Sequence, residues 1–305
     1  MSIKPQALRK GDRIGIMSPS SVTKKKDLEP GLAILRERGF EVYVHPQTFS
    51  ARRSSAGTEA EKTAALKDLL TDRDIRAIFA AGGGNHSLFL LPELDYALVR
   101  KNPKIVMGFS DNTALLNAFN ARADLTTFHG PVVKWLPRTE DLDQCFALLA
   151  GKKTAYPMNE AEIMRKGAAE GRLIGGNLTL MNYLSGTKYM PKMDGAILFI
   201  EDINEEYSNI DRLFWRLRAS GVLDKISGLV VGQLTNPKDT GKRPYGFTIA
   251  EIIERNIQGL NIPVIMNAPF GHVDRFYTMP VGSPAKLNTR GGRVTLSLSE
   301  PAVKI

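Results

Sequence analysis

Ser110 stands in Gly108-Phe109-Ser110-Asp111-Asn112, between the apolar run Ile105–Phe109 and the helix-like stretch Ala114–Phe119. A serine at a sharp strand-to-helix turn has its hydroxyl pushed clear of flanking side chains. The first backbone N–H groups of the helix lie beside it, able to hold a developing oxyanion. That is the arrangement of a nucleophile elbow, whose usual pattern is G-x-S-x-G. Here Gly108 fills the first small position and Asn112 replaces the second. The competing reading is that Ser110 only caps the helix that follows, as serine commonly does.

A serine nucleophile needs a base, and the base needs an orienting acid. The chain has four histidines: His45 before Pro46, His86 after a glycine loop, His129 in Phe-His-Gly-Pro, and His272 in Gly-His-Val-Asp. Spacing alone leaves all of them open, because a loop histidine is more often solvated or structural than catalytic. The single cysteine, Cys145, falls on the apolar stripe of a predicted helix and reads as a core residue. It excludes an internal disulfide and a Cys-based metal site. No H-E-x-x-H occurs, so neither a metal nor a cofactor is expected. Gly82-Gly83-Gly84-Asn85 lacks the Lys-Ser or Lys-Thr of a phosphate loop.

The elements that must position these groups alternate in the first half. Strand-like runs at Arg13–Ser18, Glu41–Val44, Ala77–Ala81 and Ile105–Phe109 are separated by helical patterns, one opening on the capping box Thr58/Glu61. This rhythm predicts a parallel sheet with helices on both faces, of flavodoxin-like type. Ligands of such sheets sit beyond the carboxyl ends of the strands, where the glycine loop and Ser110 both fall. Residues 156–170 are polar and weakly periodic, and read as a linker between a domain at 1–155 and one at 171–305. The second half predicts a mixed α+β domain. It has strands near 196–200, 229–233 and 264–266, and a hairpin around Thr289-Arg290-Gly291-Gly292.

A net charge of +9 permits nucleic-acid binding, but the Lys and Arg residues are scattered and no nucleic-acid motif accompanies them. Anionic small substrates explain the charge equally well. Met1–Arg13 is polar and basic, and Ile14–Met17 is too short for a signal-peptide core. No run is long enough to span a membrane, so the expectation is a cytoplasmic protein.

The chain resembles the LD-carboxypeptidases, serine peptidases of family S66, which include muramoyltetrapeptide carboxypeptidases and the microcin C immunity peptidase. The resemblance rests on Gly11-Asp12-Arg13-Ile14, Ser18-Pro19, Ala56-Gly57-Thr58, Gly82-Gly83-Gly84-Asn85 and Leu91-Pro92-Glu93-Leu94-Asp95-Tyr96. It continues through Gly108-Phe109-Ser110-Asp111, Phe128-His129-Gly130-Pro131, Gly175-Gly176-Asn177-Leu178, Phe199-Ile200-Glu201-Asp202, Ile210-Asp211-Arg212 and Gly271-His272. It implies a Ser110–His272–Glu201 triad in a cleft between the two domains, and an oxyanion hole from the backbone of Gly84 and Asp111. Asn85 and Asn177 are candidates for substrate contact, with helix capping the alternative for Asn177. The implied reaction removes a terminal D-amino acid from a murein tetrapeptide, without nucleic acid or membrane, in a homodimer. Gly-Gly-Gly-Asn-His-Ser lies closer to the immunity branch, so hydrolysis of a peptidyl-nucleotide antibiotic is the alternative substrate. A non-catalytic protein that binds anionic peptides is a third reading.

Overall fold

The structure, a computed structural model, describes residues 2–305. The first half supplies Arg13–Met17 (β1), Glu41–Val44 (β2), Ile75–Ala80 (β3), Ile105–Gly108 (β4) and Thr127–His129 (β5). These pair in parallel in the order β2-β1-β3-β4-β5, the doubly wound order of flavodoxin-like sheets. Strands β1, β3 and β4 are almost wholly buried, which is why they read as continuous apolar runs. The helix Lys25–Glu37 seals one face with Leu28, Leu32 and Leu35. The helix Glu59–Thr71 seals the other with Leu66, Leu69 and Leu70, and starts on the complete Thr58/Glu61 capping box.

Residues 155–177 hold Ala155–Pro157 (β6), Glu162–Arg165 (β7) and Ala168–Asn177 (β8). Then come Ile197–Ile203 (β9), Gly228–Thr235 (β10), Val264–Met266 (β11), Met279–Val281 (β12), Pro284–Asn288 (β13) and Thr295–Leu298 (β14). The second sheet runs β6-β14-β13-β8-β9-β10-β11-β7, parallel from β8 to β11 and antiparallel elsewhere. The β13–β14 hairpin turns through Gly291 and Gly292, both at φ +77°.

The stretch read as a linker, 156–170, is therefore mostly strand. Strands β6 and β7 form the two outer edges of the second sheet. An edge strand is bonded on one side only, and these two are partly exposed along their length, so they carry little apolar periodicity to read. The chain also crosses back. Strand β12 adds antiparallel to β5, and Gln6 bridges to Lys304, so part of 171–305 completes the first layer. One cluster of buried side chains runs through both sheets, from Ile14 and Phe79 to Phe199 and Ile265.

Candidate active site

Strand β4, buried at all its positions, delivers Phe109 in an extended conformation, and the backbone then turns sharply at Ser110 (φ +61°). A non-glycine residue held there costs on the order of 1–2 kcal/mol, which the surrounding packing must impose. Ser110 opens a short helical turn, Ser110–Asn112, ahead of the helix Thr113–Ala123. Its hydroxyl caps neither: the flanking cap positions are Phe109 and Asn112, and neither helix has a side-chain cap. Asn112 takes the place of the elbow's second glycine for a visible reason. Its Nδ2 donates to the carbonyls of Gly82 (3.1 Å) and Phe109 (3.0 Å), tying the glycine loop to the turn. A Cβ on Gly108 would lie 2.9 Å from the Asn112 Cβ, so the small residue is needed on the other side.

The glycine loop passes directly against this turn. A Cβ on Gly83 would sit 3.3 Å from the Ser110 Cβ and 3.5 Å from its hydroxyl. Gly84 (φ +121°) and Asn85 follow on the exposed rim, and the Asn85 N–H donates to Ser21 Oγ at 3.1 Å. Asp111 turns its carboxylate away: Oδ2 accepts from the Ser87 N–H at 2.9 Å, and its carbonyl accepts from the Ser87 hydroxyl at 2.5 Å. What Asp111 can offer a ligand beside Ser110 is its backbone.

The second sheet brings the other two groups. Glu201, fully buried near the carboxyl end of β9, accepts from His272 Nδ1 through Oε2 at 2.7 Å. His272 follows Gly271 (φ +119°), where a Cβ would come within 2.9 Å of the Glu201 Cβ. Only glycine lets the loop approach the acid this closely. Burial opposes the imidazolium, but the charge and hydrogen bond of Glu201, with the charge of Asp202, outweigh it and leave the His272 pKa raised. The ring lies in an aromatic slot, 4.9 Å from Phe109 and 6.0 Å from Trp135 between centroids. Phe109 immediately precedes Ser110, so the imidazole stands beside the elbow. No hydrogen bond joins Ser110 to His272 among the described residues. Such contacts are often loose before substrate binds.

Asp202 points away from Glu201's partner. Oδ1 accepts from Asn177 Nδ2 (2.7 Å) and the Ile203 N–H (2.9 Å), and Oδ2 from the N–H (2.9 Å) and hydroxyl (2.7 Å) of Thr179. Asn177 is likewise committed to the fold. Its Oδ1 accepts from the Leu180 N–H at 3.1 Å, capping the helix Leu178–Leu184, and the residue is buried. The capping alternative raised for Asn177 is thus realised in the structure.

Asn112, Gly83, Phe109 and Trp135 also build the site, beyond the residues that the sequence motifs single out. Asn112 was visible as a departure from the elbow pattern. The aromatic slot has no local signal, because its walls come from separate elements.

Two family models match this chain, LD-carboxypeptidase N-terminal domain at residues 14–130 and LD-carboxypeptidase C-terminal domain at residues 170–287, and together they span most of it. It is 31% identical to a protein of Bacillus subtilis named probable murein peptide carboxypeptidase, over 100% of this chain and 98% of that one. It is also 31% identical to the microcin C7 self-immunity protein MccF of Escherichia coli, over 89% of both chains. Among solved structures, MccF bound to aspartyl sulfamoyl adenosine aligns with TM-score 0.88 at 29% identity, over 99% of this chain and 100% of that one. A muramoyltetrapeptide carboxypeptidase of Oxalobacter formigenes aligns with TM-score 0.84 at 27% identity, over 94% and 99%.

Proposed function

This chain belongs to the LD-carboxypeptidase family, and from that premise we propose that it is a serine-type LD-carboxypeptidase acting on murein tetrapeptides. The observation that carries the reading is the buried Glu201–His272 pair, set by Phe109 beside a serine in elbow geometry. Ser110 Oγ attacks the carbonyl of the L-centre while His272 Nε2 takes its proton. Glu201 fixes the proton on Nδ1 and stabilises the imidazolium that forms. The backbone N–H groups of Asp111 and Gly84 hold the oxyanion, with Gly83 closing over the hydroxyl. His272 then protonates the departing D-amino acid, and water, activated by the same imidazole, releases the acyl group from Ser110. Asn85 on the rim contacts substrate. The chemistry needs no metal or cofactor, and the enzyme works in the cytoplasm as a homodimer that recycles cell-wall peptides.

A second reading, hydrolysis of a peptidyl-nucleotide antibiotic, is favoured by the MccF structural match and by Gly-Gly-Gly-Asn-His-Ser. Steady-state assays of the purified protein on a muramoyl tetrapeptide and on a peptidyl-adenylate mimic decide between them, with Ser110→Ala as control. Release of D-alanine from the tetrapeptide at a much higher kcat/KM is the expected result. Preferential cleavage of the mimic would move the assignment to the immunity branch.

A further inference from the structure

His129, in the Phe-His-Gly-Pro segment, has no part in the mechanism above, yet it lies at its centre. It ends β5, between β4 and β12, and is fully buried. Its ring is caged by Phe276 (5.5 Å between centroids), Phe199 (5.6 Å) and Phe109 (6.2 Å). Phe109 is the residue that packs on His272, and Phe199 lies two residues before Glu201, on the same face of β9. An aromatic cage alone would be filled more favourably by phenylalanine. A neutral imidazole brings one donor and one acceptor, and each buried without a partner costs about 1–3 kcal/mol.

Both ring nitrogens of His129 are buried without a hydrogen-bond partner among the described residues, and so is Oε1 of Glu201. Glu201 thus spends Oε2 on His272 while its other oxygen, on the same carboxylate, has no protein donor. The charged groups acting on His129 are Glu201 and His272, and those acting on His272 are Glu201 and Asp202. Burial pushes His129 down to about 4, so it stays neutral at working pH and acts as a donor rather than as a second base. None of these three atoms has a protein partner among the described residues, and buried water commonly serves such orphaned groups.

We infer that His129 is a positioning residue of the acid–base pair: through one bridging water it donates to Oε1 of Glu201 and holds that carboxylate oriented toward His272. The kinetic part of this inference rests on the proposed serine mechanism; the structural part does not. Loss of the donor makes the Glu201–His272 pair easier to protonate, whichever member takes the proton. The acid limb of the kcat/KM profile should therefore move to higher pH.

The test compares His129→Phe, which keeps the ring and loses the donor, with His129→Gln, which keeps an N–H. On a muramoyl tetrapeptide, His129→Phe should lower kcat about tenfold, leave KM within about twofold, and raise the acid limb by about one pH unit. His129→Gln should keep the limb close to that of the unmodified protein. An unmoved limb in His129→Phe, or the same displacement in both variants, overturns the inference. A high-resolution crystal structure of the unmodified protein supplies a readout free of activity and of any variant's folding. It should show a water within hydrogen-bond distance of Glu201 Oε1 and a His129 ring nitrogen. A site with no link between them overturns the inference even if the enzyme is active. Absence of tetrapeptide turnover in the unmodified protein would instead count against the proposed function, leaving the crystallographic arm to decide this point.

Discussion

Gly82-Gly83-Gly84-Asn85 and Gly175-Gly176-Asn177 look alike in the sequence, and the fold uses them for opposite purposes. The first follows β3 and ends on the exposed rim, with Gly83 against the Ser110 hydroxyl. The second lies at the end of β8, inside the joint between the two sheets. A Cβ on Gly175 would fall 1.7 Å from the Phe199 carbonyl oxygen, and one on Gly176 2.6 Å from Thr113 Cγ2. Thr113 Oγ1 accepts from the Asn177 N–H at 3.0 Å, and Asn117 Nδ2 donates to the Gly175 carbonyl at 2.9 Å. Both bonds tie the helix behind the elbow to the sheet that carries Glu201. Glycine in the first segment leaves space beside the Ser110 hydroxyl, whereas glycine in the second lets two layers of protein touch. The same residue types therefore say that something comes close, and only the neighbours say what.

The largest effect should fall beside the first segment. Ser110→Ala should lower kcat by about 10⁴-fold or more while leaving the melting temperature almost unchanged. Activity near that of the unmodified protein would reduce Ser110 to a turn residue. It would also make the first glycine segment structural like the second.

The glycines should separate next. Gly176→Ala forces a Cβ into Thr113 at φ +138° and should cost about 3 kcal/mol of stability, read by chemical denaturation. Gly84→Ala puts a Cβ 2.2 Å from the Ser21 hydroxyl oxygen and 2.6 Å from its Cβ and should cost about as much, yet on the proposed mechanism it also slows turnover about 10²-fold by displacing an oxyanion donor, which Gly176→Ala does not. If both variants lose stability equally and keep kcat, the contrast between the segments is broken.

The two asparagines provide a finer comparison. Asn177→Ala removes a helix cap and the partner of Asp202, and should cost about 1–2 kcal/mol. Its KM should hold. Asn85→Ala should leave the melting temperature in place and raise KM a few-fold. The reverse pattern would return Asn177 to the substrate.

The smallest effects are offsets in pH, and they run in opposite directions. In the proposed mechanism His272 must be neutral to accept the Ser110 proton, and its pKa is raised, so kcat/KM should fall in acid from above the usual imidazole value of about 6.5. At the joint, burial and the charge of Glu201 push Asp202 up to about 6. The folded protein holds that proton more tightly than the unfolded chain. Its stabilising contribution is therefore complete below the ordinary carboxylate range and is lost as pH rises toward 6. The difference in melting temperature between the unmodified protein and Asp202→Asn should decline over that window. A flat difference would mean that the four donors around Asp202 hold it ionised throughout.

Much of the first layer was legible in the chain because its signals are local. Buried parallel strands give unbroken apolar runs such as Ile105–Phe109, and the Thr58/Glu61 box marks its helix within four residues. Ser110, Glu201 and His272 could be named from motifs in a fixed order. The edge strands β6 and β7 could not be recognised, since half-exposed strands lack that pattern. The return of β12 to the first sheet was equally hidden, because strand partners distant in sequence leave no local trace. Sequence by itself determined which groups could do chemistry and which turns would present them. Tertiary structure alone decided which carboxylate oxygen meets His272, which asparagine is consumed by capping, and that His129 lies caged behind the acid. Those outcomes depend on contacts between elements as far apart in the numbering as Phe109 and His272, where packing rather than local preference sets the geometry.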